Sequence, residues 1–416
     1  MTTAGQSRRA DPAPVPLATI AREWGRIGCI GFGGPPAHIA LLRQLCVERR
    51  GWIAASEFED GIAATNLLPG PASTQLAIFT AWRLRGVAGA VVGGLCFIVP
   101  GLVLILVLSA VFLASGTPGW VRGAAAGAGS AVAAVALHAA WGLVPGSWKR
   151  AGAARAARAR WIGYALAGAA AAATVGPWLV LLLVAAGLLE VAVRAAQKNK
   201  QNKESRQRRQ NGQNRRGGRG APKGTGAWPL PLAVAAPAAG GLLSLAWVAF
   251  KVGALSYGGG FVIIPLMQAD AVDHYHWMTA GQFLNAVALG QITPGPVVQT
   301  VAVVGYAVAG VGGGLLAAAV AFTPSFLFVL LGGRHFDALR ANVHVQAFLT
   351  GAGPAVIGAI AGSAVPLALA LTHAWQYPVL ALAAVWLLAL RRGVVSALLG
   401  AGLLGVLAAL VGLPTG

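Results

Sequence analysis

The residues LLPGPASTQ at positions 67–75 and ITPGPVVQT at positions 292–300 interrupt two otherwise apolar parts of the chain. Each contains a Pro-Gly-Pro triplet, and inside a helix Gly costs about 1 kcal/mol and Pro about 3 kcal/mol relative to Ala. Two Gly-rich segments, GFGGPP at 31–36 and SYGGG at 256–260, break apolar sequence in the same way. We therefore expect four helix breaks, arranged as two pairs.

The two pairs of breaks belong to an internal repeat. With a shift of 225 residues, positions 26–75 align without a gap on positions 251–300, and thirteen of the fifty aligned pairs are identical. The identities include Trp52/Trp277 and both Pro-Gly-Pro triplets. Low-complexity Ala/Leu sequence would not match such residues by chance, so the chain is predicted to consist of two related halves.

The composition is that of an integral membrane protein. Of 416 residues, 57% are hydrophobic and 10% are charged, whereas a soluble domain has about 25% charged residues. Apolar runs at 87–114, 121–143 and 343–371 reach the roughly 20 residues that a helix needs to cross a bilayer. The predicted fold is an all-α polytopic membrane protein, with two inverted repeats of about five membrane segments each and with broken or re-entrant helices.

Half of the net charge of +20 lies in one segment, because residues 194–223 contain eleven Lys or Arg and one acid. This polar, Gly/Asn/Gln-rich segment is predicted to be a disordered linker that stays in the cytoplasm. RNA or lipid-headgroup binding by the linker is the alternative, although nucleic acid is not expected as a partner of the chain. The predicted domains are an N-terminal tail (1–16), a first membrane repeat (17–194), the linker (195–227) and a second membrane repeat (228–416).

The charges of equivalent loops predict that the two halves have opposite orientations in the membrane. Residues 43–50 contain three Arg and one Glu, whereas the equivalent residues 268–275 contain two Asp and neither Lys nor Arg. Loops rich in Lys and Arg remain cytoplasmic, so the two loops are expected on opposite sides. This inversion requires an odd number of crossings between equivalent positions, which holds if residues 229–250 cross the membrane.

Broken helices at equivalent positions of two repeats indicate the binding site of a transporter. A helix that restarts after a break presents free N–H groups and a partial positive charge, which favours an anion. Further donors in the first turn after the breaks are Ser73, Thr74, Gln75, Gln299 and Thr300. The alternative is that the breaks are packing kinks at helix crossings.

Five ionisable residues near the breaks are candidates for attracting the ion or coupling its transport. Arg26 and Lys251 occupy equivalent positions, where they either attract a dianion or extend to the lipid headgroups. Glu57 and Asp60 either carry a coupling proton or cap the helix that follows, and we favour capping. His38, two residues after the first Gly-Pro break, is the remaining candidate.

The sequence contains no catalytic or cofactor motif. A hydrolase elbow, a P-loop and an HExxH motif are absent, and the glycines at 31–34 lack the βαβ context of a nucleotide loop. The three cysteines are far apart and are predicted to be buried small hydrophobes, with no metal bound. A membrane-embedded enzyme or scaffold is a further alternative class. We predict instead that the chain is not an enzyme, needs no cofactor, and transports passively or on an ion gradient.

At the broken segments the sequence resembles the chromate ion transporter family, in its long-chain form with two domains. The similar stretches are GFGGPPAHIALLRQ and LLPGPASTQLA in the first half, and SYGGGFVIIPLMQ and LGQITPGPVVQTVAVVGY in the second. The resemblance implies efflux of chromate from the cytoplasm across the bacterial inner membrane, driven by the membrane potential or the proton gradient. It also implies chromate resistance, with sulfate as a related oxyanion.

The same resemblance implies a set of substrate-binding residues. They are Gly33, Gly34, Pro35, Asn66, Pro69, Gly70, Pro71 and Gln75 in the first half, with Gly258, Gly259, Gln291, Pro294, Gly295 and Pro296 as partners in the second. Nothing in the sequence separates chromate from sulfate, so a transporter or channel for sulfate or another oxyanion stays an alternative. The expected partners are the ion, membrane lipids and a proton or counter-ion gradient, and the oligomeric state, including a homodimer, is left open.

Overall fold

The computed structural model describes residues 15–66, 68, 70–114, 116–174, 179–212, 241–256, 263–332 and 342–415, and all regular structure in them is helical. The first half contains α1 (Leu17–Ile30), α2 (Pro35–Arg43), a π-helix (Gln44–Arg49), α3 (Ala55–Thr65), α4 (Ala72–Phe112), α5 (Gly119–Ser130), α6 (Val132–Ala151), α7 (Arg155–Thr174) and α8 (Leu179–Gly212). The second half contains α9 (Leu242–Leu255), α10 (Ile263–Gln268), a π-helix (Ala269–His274), α11 (Ala280–Ile292), a 3-10 turn (Val297–Gln299), α12 (Thr300–Gly332), α13 (Val343–Leu369), α14 (Gln376–Ala384), a π-helix (Val385–Ala389) and α15 (Val394–Leu410).

The predicted all-α polytopic class is confirmed. Within the described residues, five helical segments are long and apolar enough to cross a membrane. They are Ala72–Phe112, Gly119–Ala151, Leu179–Lys203, Val297–Gly332 and Val343–Leu369.

The linker begins later than the sequence suggested. Helix α8 continues to Gly212, so the prediction of disorder is wrong for residues 195–212. The physical reason is composition, because Gln, Lys, Arg and Glu, which make up much of this stretch, are good helix formers. The rest of the predicted linker, residues 213–227, lies outside the described residues.

Helices α4 and α12 each contain a sharp kink at an equivalent position. In α4 the non-helical residues are Arg85 (φ −148°, ψ 24°) and Gly86 (φ 59°, ψ −148°). In α12 they are Ala309 (φ −149°, ψ 33°) and Gly310 (φ 60°, ψ −149°). The positive φ of the second residue is readily adopted by glycine alone. The kinks divide α4 into α4a (72–84) and α4b (87–112), and α12 into α12a (300–308) and α12b (311–332).

In each half, the short segment before the kink folds back onto the long segment after it. A Cβ atom added at Gly94 of α4b would lie 2.9 Å from Cγ1 of Ile78 in α4a. One added at Gly305 of α12a would lie 2.8 Å from Cβ of Ala317 in α12b. Glycine and alanine permit this close approach, as they do between membrane helices in general. Each kink is therefore the turn of a helical hairpin.

The helix before each Pro-Gly-Pro triplet lies antiparallel to the helix after it. Glu57 at the start of α3 forms an ion pair with Arg83 at the end of α4a, and a Cβ added at Gly61 would lie 2.6 Å from Cε1 of Phe79. In the second half, Gly290 near the end of α11 contacts Thr300 at the start of α12a. The chain thus enters and leaves each pair of helices at the same end, as it does in re-entrant helices. We call residues 70–75 the first tip and residues 294–300 the second tip.

Helices α4b and α12b pack against each other in opposite directions. A Cβ added at Gly94 would lie 2.6 Å from Cε1 of Phe326, and Gly314 contacts Leu106. Residue numbers therefore rise along one helix while they fall along the other. Because the kinks make α4b and α12b equivalent, their antiparallel packing supports the predicted inversion of the halves. Residues 229–240, most of the crossing that the inversion requires, lie outside the described residues.

The remaining helices of the two halves also interlock through small residues. Helix α5 packs along α15, where a Cβ added at Gly127 would lie 2.8 Å from Cα of Gly405. Helix α7 packs along α13, where one added at Gly358 would lie 2.6 Å from the carbonyl carbon of Ala165. The two halves therefore share one apolar interior and are not separate bundles.

The cysteines differ in their surroundings. Cys46 is buried in the first π-helix, and burial raises the pKa of its thiol to about 12. Cys96 is partly buried and Cys29 is exposed. The prediction of three buried cysteines is therefore wrong for Cys29, which lies on the outward face of α1 near its end.

Candidate functional site

The two tips lie against α4b and α12b, where the halves cross. Gly70 of the first tip faces α12b, since a Cβ added at Gly70 would lie 3.4 Å from Oγ of Ser325. In the second tip the carbonyl oxygen of Pro294 contacts Gly101 of α4b. Gly101 and Ser325 each directly follow a proline inside their helix. Each half thus supplies one tip and the helix against which the other tip lies.

The first Gly-rich break lies against the second tip. The N–H of Gly295 donates a hydrogen bond to the carbonyl of Gly31 at 3.1 Å. A Cβ added at Gly34, the residue before α2, would lie 3.9 Å from Cγ2 of Val297. The predicted residues at 33–35 and at 294–296 therefore belong to segments that meet across the two halves.

His38 connects this contact to the first tip. Its wholly buried ring places Nε2 2.8 Å from the carbonyl oxygen of Gly31 and Nδ1 3.2 Å from Oγ of Ser73. A carbonyl can only accept, so Nε2 carries the hydrogen, and Nδ1 of the neutral ring accepts from the Ser73 hydroxyl. The Gly31 carbonyl therefore accepts hydrogen bonds from both His38 and Gly295. One chain of hydrogen bonds thus joins the two tips.

Two hydroxyl groups at and beside the first tip have no hydrogen-bond partner among the described residues. Ser73, Thr74 and Gln75, in the first turn of α4a, are all buried. Oγ1 of Thr74 and Oγ of Ser325 have no hydrogen-bond partner in the described part of the chain. Buried polar groups are nearly always paired, so two unpaired hydroxyls beside a helix N-terminus indicate room for a ligand.

The second tip is more apolar, and its donors are engaged. It carries Val297 and Val298, both buried, at the start of the 3-10 turn. The Gln299 amide donates to the carbonyl of Ile98 at 2.8 Å, and the Thr300 hydroxyl donates to the carbonyl of Val297 at 2.8 Å. The predicted donors Gln299 and Thr300 thus already donate hydrogen bonds to backbone carbonyls of the protein.

A cavity of about 210 Å³ reaches the first tip, where it is lined by Gly70 and Ala72. This volume is several times the roughly 30 Å³ that one water molecule occupies in the liquid. Asn66 from the end of α3 and Arg150 from α6 also line the cavity, and Arg150 is the one charged residue among its lining residues. Predicted residues Asn66 and Gly70 therefore share a cavity with a cation that the sequence did not single out.

A second polar cavity, of about 330 Å³, lies at the start of α11. Its lining includes Gln282 and Asn285, the repeat partners of Glu57 and Asp60, together with Arg122 of α5. It contains no residue of the second tip.

The predicted charged residues lie away from the tips. Arg26 is exposed and has no ion pair with a described residue, whereas Lys251 bonds both carboxylate oxygens of Asp270, at 2.7 and 2.9 Å. Glu57 lies in the first turn of α3, where an acid is favourable for the helix dipole, and it pairs with Arg83. Asp60 is exposed on the same helix.

Part of the predicted site cannot be placed. Pro69, Gly258 and Gly259 lie outside the described residues. Gln291, the partner of Asn66, is mostly buried at the end of α11, and its Nε2 has no partner in the described ranges. Pro71 and Pro296 are the residues that directly precede the new helical turns.

Comparison with known proteins identifies the family to which this chain is related. The family model described as "Chromate transporter" matches twice, over residues 18–191 and 243–406. The chain belongs to the chromate transporter family. A chromate transport protein of Cupriavidus metallidurans is 32% identical over 376 residues, covering 88% of this chain and 86% of the relative.

Two further members of the chromate transporter family are similar over most of the chain. A probable chromate transport protein of Synechococcus elongatus is 28% identical over 357 residues, covering 84% of each chain. A chromate transport protein of Pseudomonas aeruginosa is 28% identical over 360 residues, covering 86% of this chain and 83% of the relative. No solved structure matches.

Sequence reasoning about this family member missed the residues that complete the first tip. Ser325 lies 250 positions after Gln75 in another helix, and Arg150 lies at the far end of α6. One signal was available, because Pro100-Gly101 and Pro324-Ser325 occupy equivalent positions within long apolar helices. A proline followed by a polar residue in such a helix indicates a break that faces protein and not lipid.

Proposed function

We propose that this chromate transporter family member is a secondary active transporter that moves chromate out of the cytoplasm across the inner membrane and thereby confers chromate resistance. The observation that carries the proposal is the meeting of two re-entrant tips between the halves, with unpaired hydroxyls at one of them. The names of the relatives, which are chromate transport proteins, support the choice of ion.

The chemistry of the first tip suits a tetrahedral dianion. Helix α4a begins directly after Pro71, so its first N–H groups have no partner within the helix, and its dipole places a partial positive charge there. Chromate offers four acceptor oxygens to these groups and to the hydroxyls. A site of neutral donors binds such an ion without the strong fixed charge that would prevent its release.

The energy for transport comes from the membrane potential or a proton gradient in this proposal. Neither tip contains a titratable residue. His38 is a titratable side chain that contacts both Gly31 and Ser73. Protonation of Nδ1 would reverse its hydrogen bond with Ser73, because Nδ1–H then donates to the hydroxyl oxygen, and the Ser73 hydrogen becomes available to another acceptor. His38 is therefore the coupling candidate that the geometry favours over Glu57 and Asp60.

The decisive experiment is chromate uptake into everted membrane vesicles that contain the protein, since efflux from the cell becomes uptake in this orientation. We expect energised vesicles to accumulate chromate, and a protonophore to reduce the accumulation. Vesicles from cells without the protein are the control. Accumulation of sulfate without chromate would overturn the substrate assignment, and flux that ignores the protonophore and the potential would indicate a channel.

The inverted orientation of the halves has its own test. Reporter fusions in residues 43–50 and 270–276 are expected on opposite sides of the membrane, the first on the cytoplasmic side with the linker. The same side for both would rule out inversion, whatever ion is transported.

A further inference from the structure

We propose that the oxyanion binds at the first tip alone, where Ser325 of the second half completes the site, and that the second tip is a structural support. This inference rests on the proposed function and specifies where in the molecule the ion is held. It divides the roles of two tips that the repeat makes equivalent.

The first tip surrounds one point with donors. The position of a Cβ added at Gly70 lies 3.4 Å from Oγ of Ser325 and in contact with Nε2 of Gln75. Gly70 has φ +121°, a conformation that favours glycine. The backbone of the tip and two side chains from different halves therefore converge beside Gly70, where a side chain at position 70 would collide with the Gln75 amide.

Unused hydrogen-bonding capacity lies in the first turn after the break and at Ser325. Thr74 and Ser325 are 0% exposed, and their hydroxyl oxygens have no partner within the described ranges of the chain. Leaving such a group unpaired costs roughly 1–3 kcal/mol. A bound oxyanion would remove this cost, because its oxygens accept from both hydroxyls and from the free N–H groups at the start of α4a.

The equivalent space at the second tip is filled by acceptors. The kinks, and the prolines before Gly101 and Ser325, lie 224 positions apart, one fewer than the 225 that aligns residues 26–75 with 251–300. With this shift the structural counterparts of Ser73, Thr74 and Ser325 are Val297, Val298 and Gly101. The space above Gly101 holds the Pro294 carbonyl oxygen and the Gln299 amide, whose Oε1 and Nε2 lie 2.6 Å and 3.0 Å from an added Cβ. Two oxygens facing one space repel an anion, and the amide of Gln299 is bound to Ile98.

A cavity gives access to the first tip. The 210 Å³ cavity reaches Gly70 and Ala72, and its lining includes Asn66 and Arg150. Neither this cavity nor the 330 Å³ cavity is lined by any residue of the second tip. An anion that enters past Arg150 therefore meets the first tip.

The test compares equivalent residues of the two tips in the full-length protein. Thr74→Val removes one hydroxyl while keeping the shape of the side chain, and Ser325→Ala removes the other. Val298→Ala, at the counterpart of Thr74, is the matched control. The KM and maximal rate of chromate uptake are measured in everted vesicles, normalised to the amount of protein in the membrane.

We expect KM to rise about tenfold in Thr74→Val and in Ser325→Ala, since each loses a hydrogen bond to a charged ligand. Val298→Ala should change KM less than twofold. Unchanged KM in both hydroxyl variants, with wild-type uptake intact, would overturn the inference and leave the proposed function standing. Absence of oxyanion uptake by the wild-type protein would instead overturn the proposed function. If either hydroxyl variant is too scarce in the membrane to assay, Ser325→Cys or Thr74→Ala replaces it.

Discussion

The first and second tips follow the same backbone path but present different chemical groups to the space between the halves. Their hairpins turn at kinks whose dihedral angles agree within 10°, and each tip lies against a residue that follows a proline. At the first tip that residue is Ser325 with a free hydroxyl, and at the second it is Gly101 with no side chain. Duplication thus supplied the shape twice, while the chemistry for an anion is concentrated in one copy.

The largest loss of unfolding free energy is expected for a substitution where the second tip meets α4b. Gly101→Ala would place a methyl group against the Pro294 carbonyl and the Gln299 amide, and such overpacking against backbone costs about 3 kcal/mol. We expect the unfolding free energy in detergent to fall by that amount. Gly163→Ala in α7, where nothing lies within 4 Å of an added Cβ, is the control and should be neutral. Equal stability of the two variants would show that the second tip does not support the crossing.

The ion pairs at the first helix of each half form a second contrast, because their polarity is reversed. In the first half, Glu23 of α1 pairs with Arg50 after the π-helix at 2.9 Å. In the second half, Lys251 of α9 pairs with Asp270 within the π-helix at 2.7 Å. Each pair ties the first helix of its half to the π-helix region. The reversal follows the loop charges from which the opposite orientation of the halves was predicted.

The next largest loss of unfolding free energy is expected when one partner of the Lys251–Asp270 pair is removed. The Asp270 side chain is 8% exposed, so Lys251→Gln leaves a nearly buried carboxylate unpaired, and we expect a loss of about 2 kcal/mol in unfolding free energy. Adding Asp270→Asn should recover most of it, because the double variant buries no charge. Arg26→Gln, at the equivalent exposed position, should cost almost nothing. A similar loss of unfolding free energy in Lys251→Gln and in Arg26→Gln would mean that Arg26 also has a buried partner.

The breaks themselves provide a third test, measured by transport. Pro71→Ala and Pro296→Ala each allow the helix to extend back into the tip, since Ala is the best helix former. We expect Pro71→Ala to lower chromate uptake about tenfold at wild-type membrane levels, a loss of about 1.4 kcal/mol. Pro296→Ala should lower uptake by less, because in our proposal the second tip holds no ion. Wild-type uptake in both variants would show that the breaks are packing kinks.

The repeat is visible in the sequence, and the three breaks that the structure describes, at 31–34, 70–71 and 293–296, could be predicted because they depend on local chemistry. Glycine and proline disfavour a helix wherever they occur, and matched Trp and Pro-Gly-Pro residues reveal the duplication without any knowledge of contacts. The kink at Gly86 was missed, since its neighbours are good helix formers and its turn becomes evident only when α4a packs on α4b. The roles of Ser325 and Arg150 were missed for a different reason. They depend on which helix of one half lies against which tip of the other, and periodicity within one helix does not specify that.

The smallest expected effect concerns Arg150, which lies in the cavity and not at the tip. A cation there raises the local concentration of anions without holding them, so it affects the rate of binding more than the final affinity. We expect Arg150→Gln to raise the KM for chromate two- to threefold at low ionic strength, and the difference to shrink as salt shortens the Debye length to about 8 Å at 0.15 M. Lys149→Gln is the matched control, since Lys149 is exposed on the same helix and does not line the cavity. A salt-independent change in KM would place Arg150 in direct contact with the ion and extend the binding site from the first tip into the cavity.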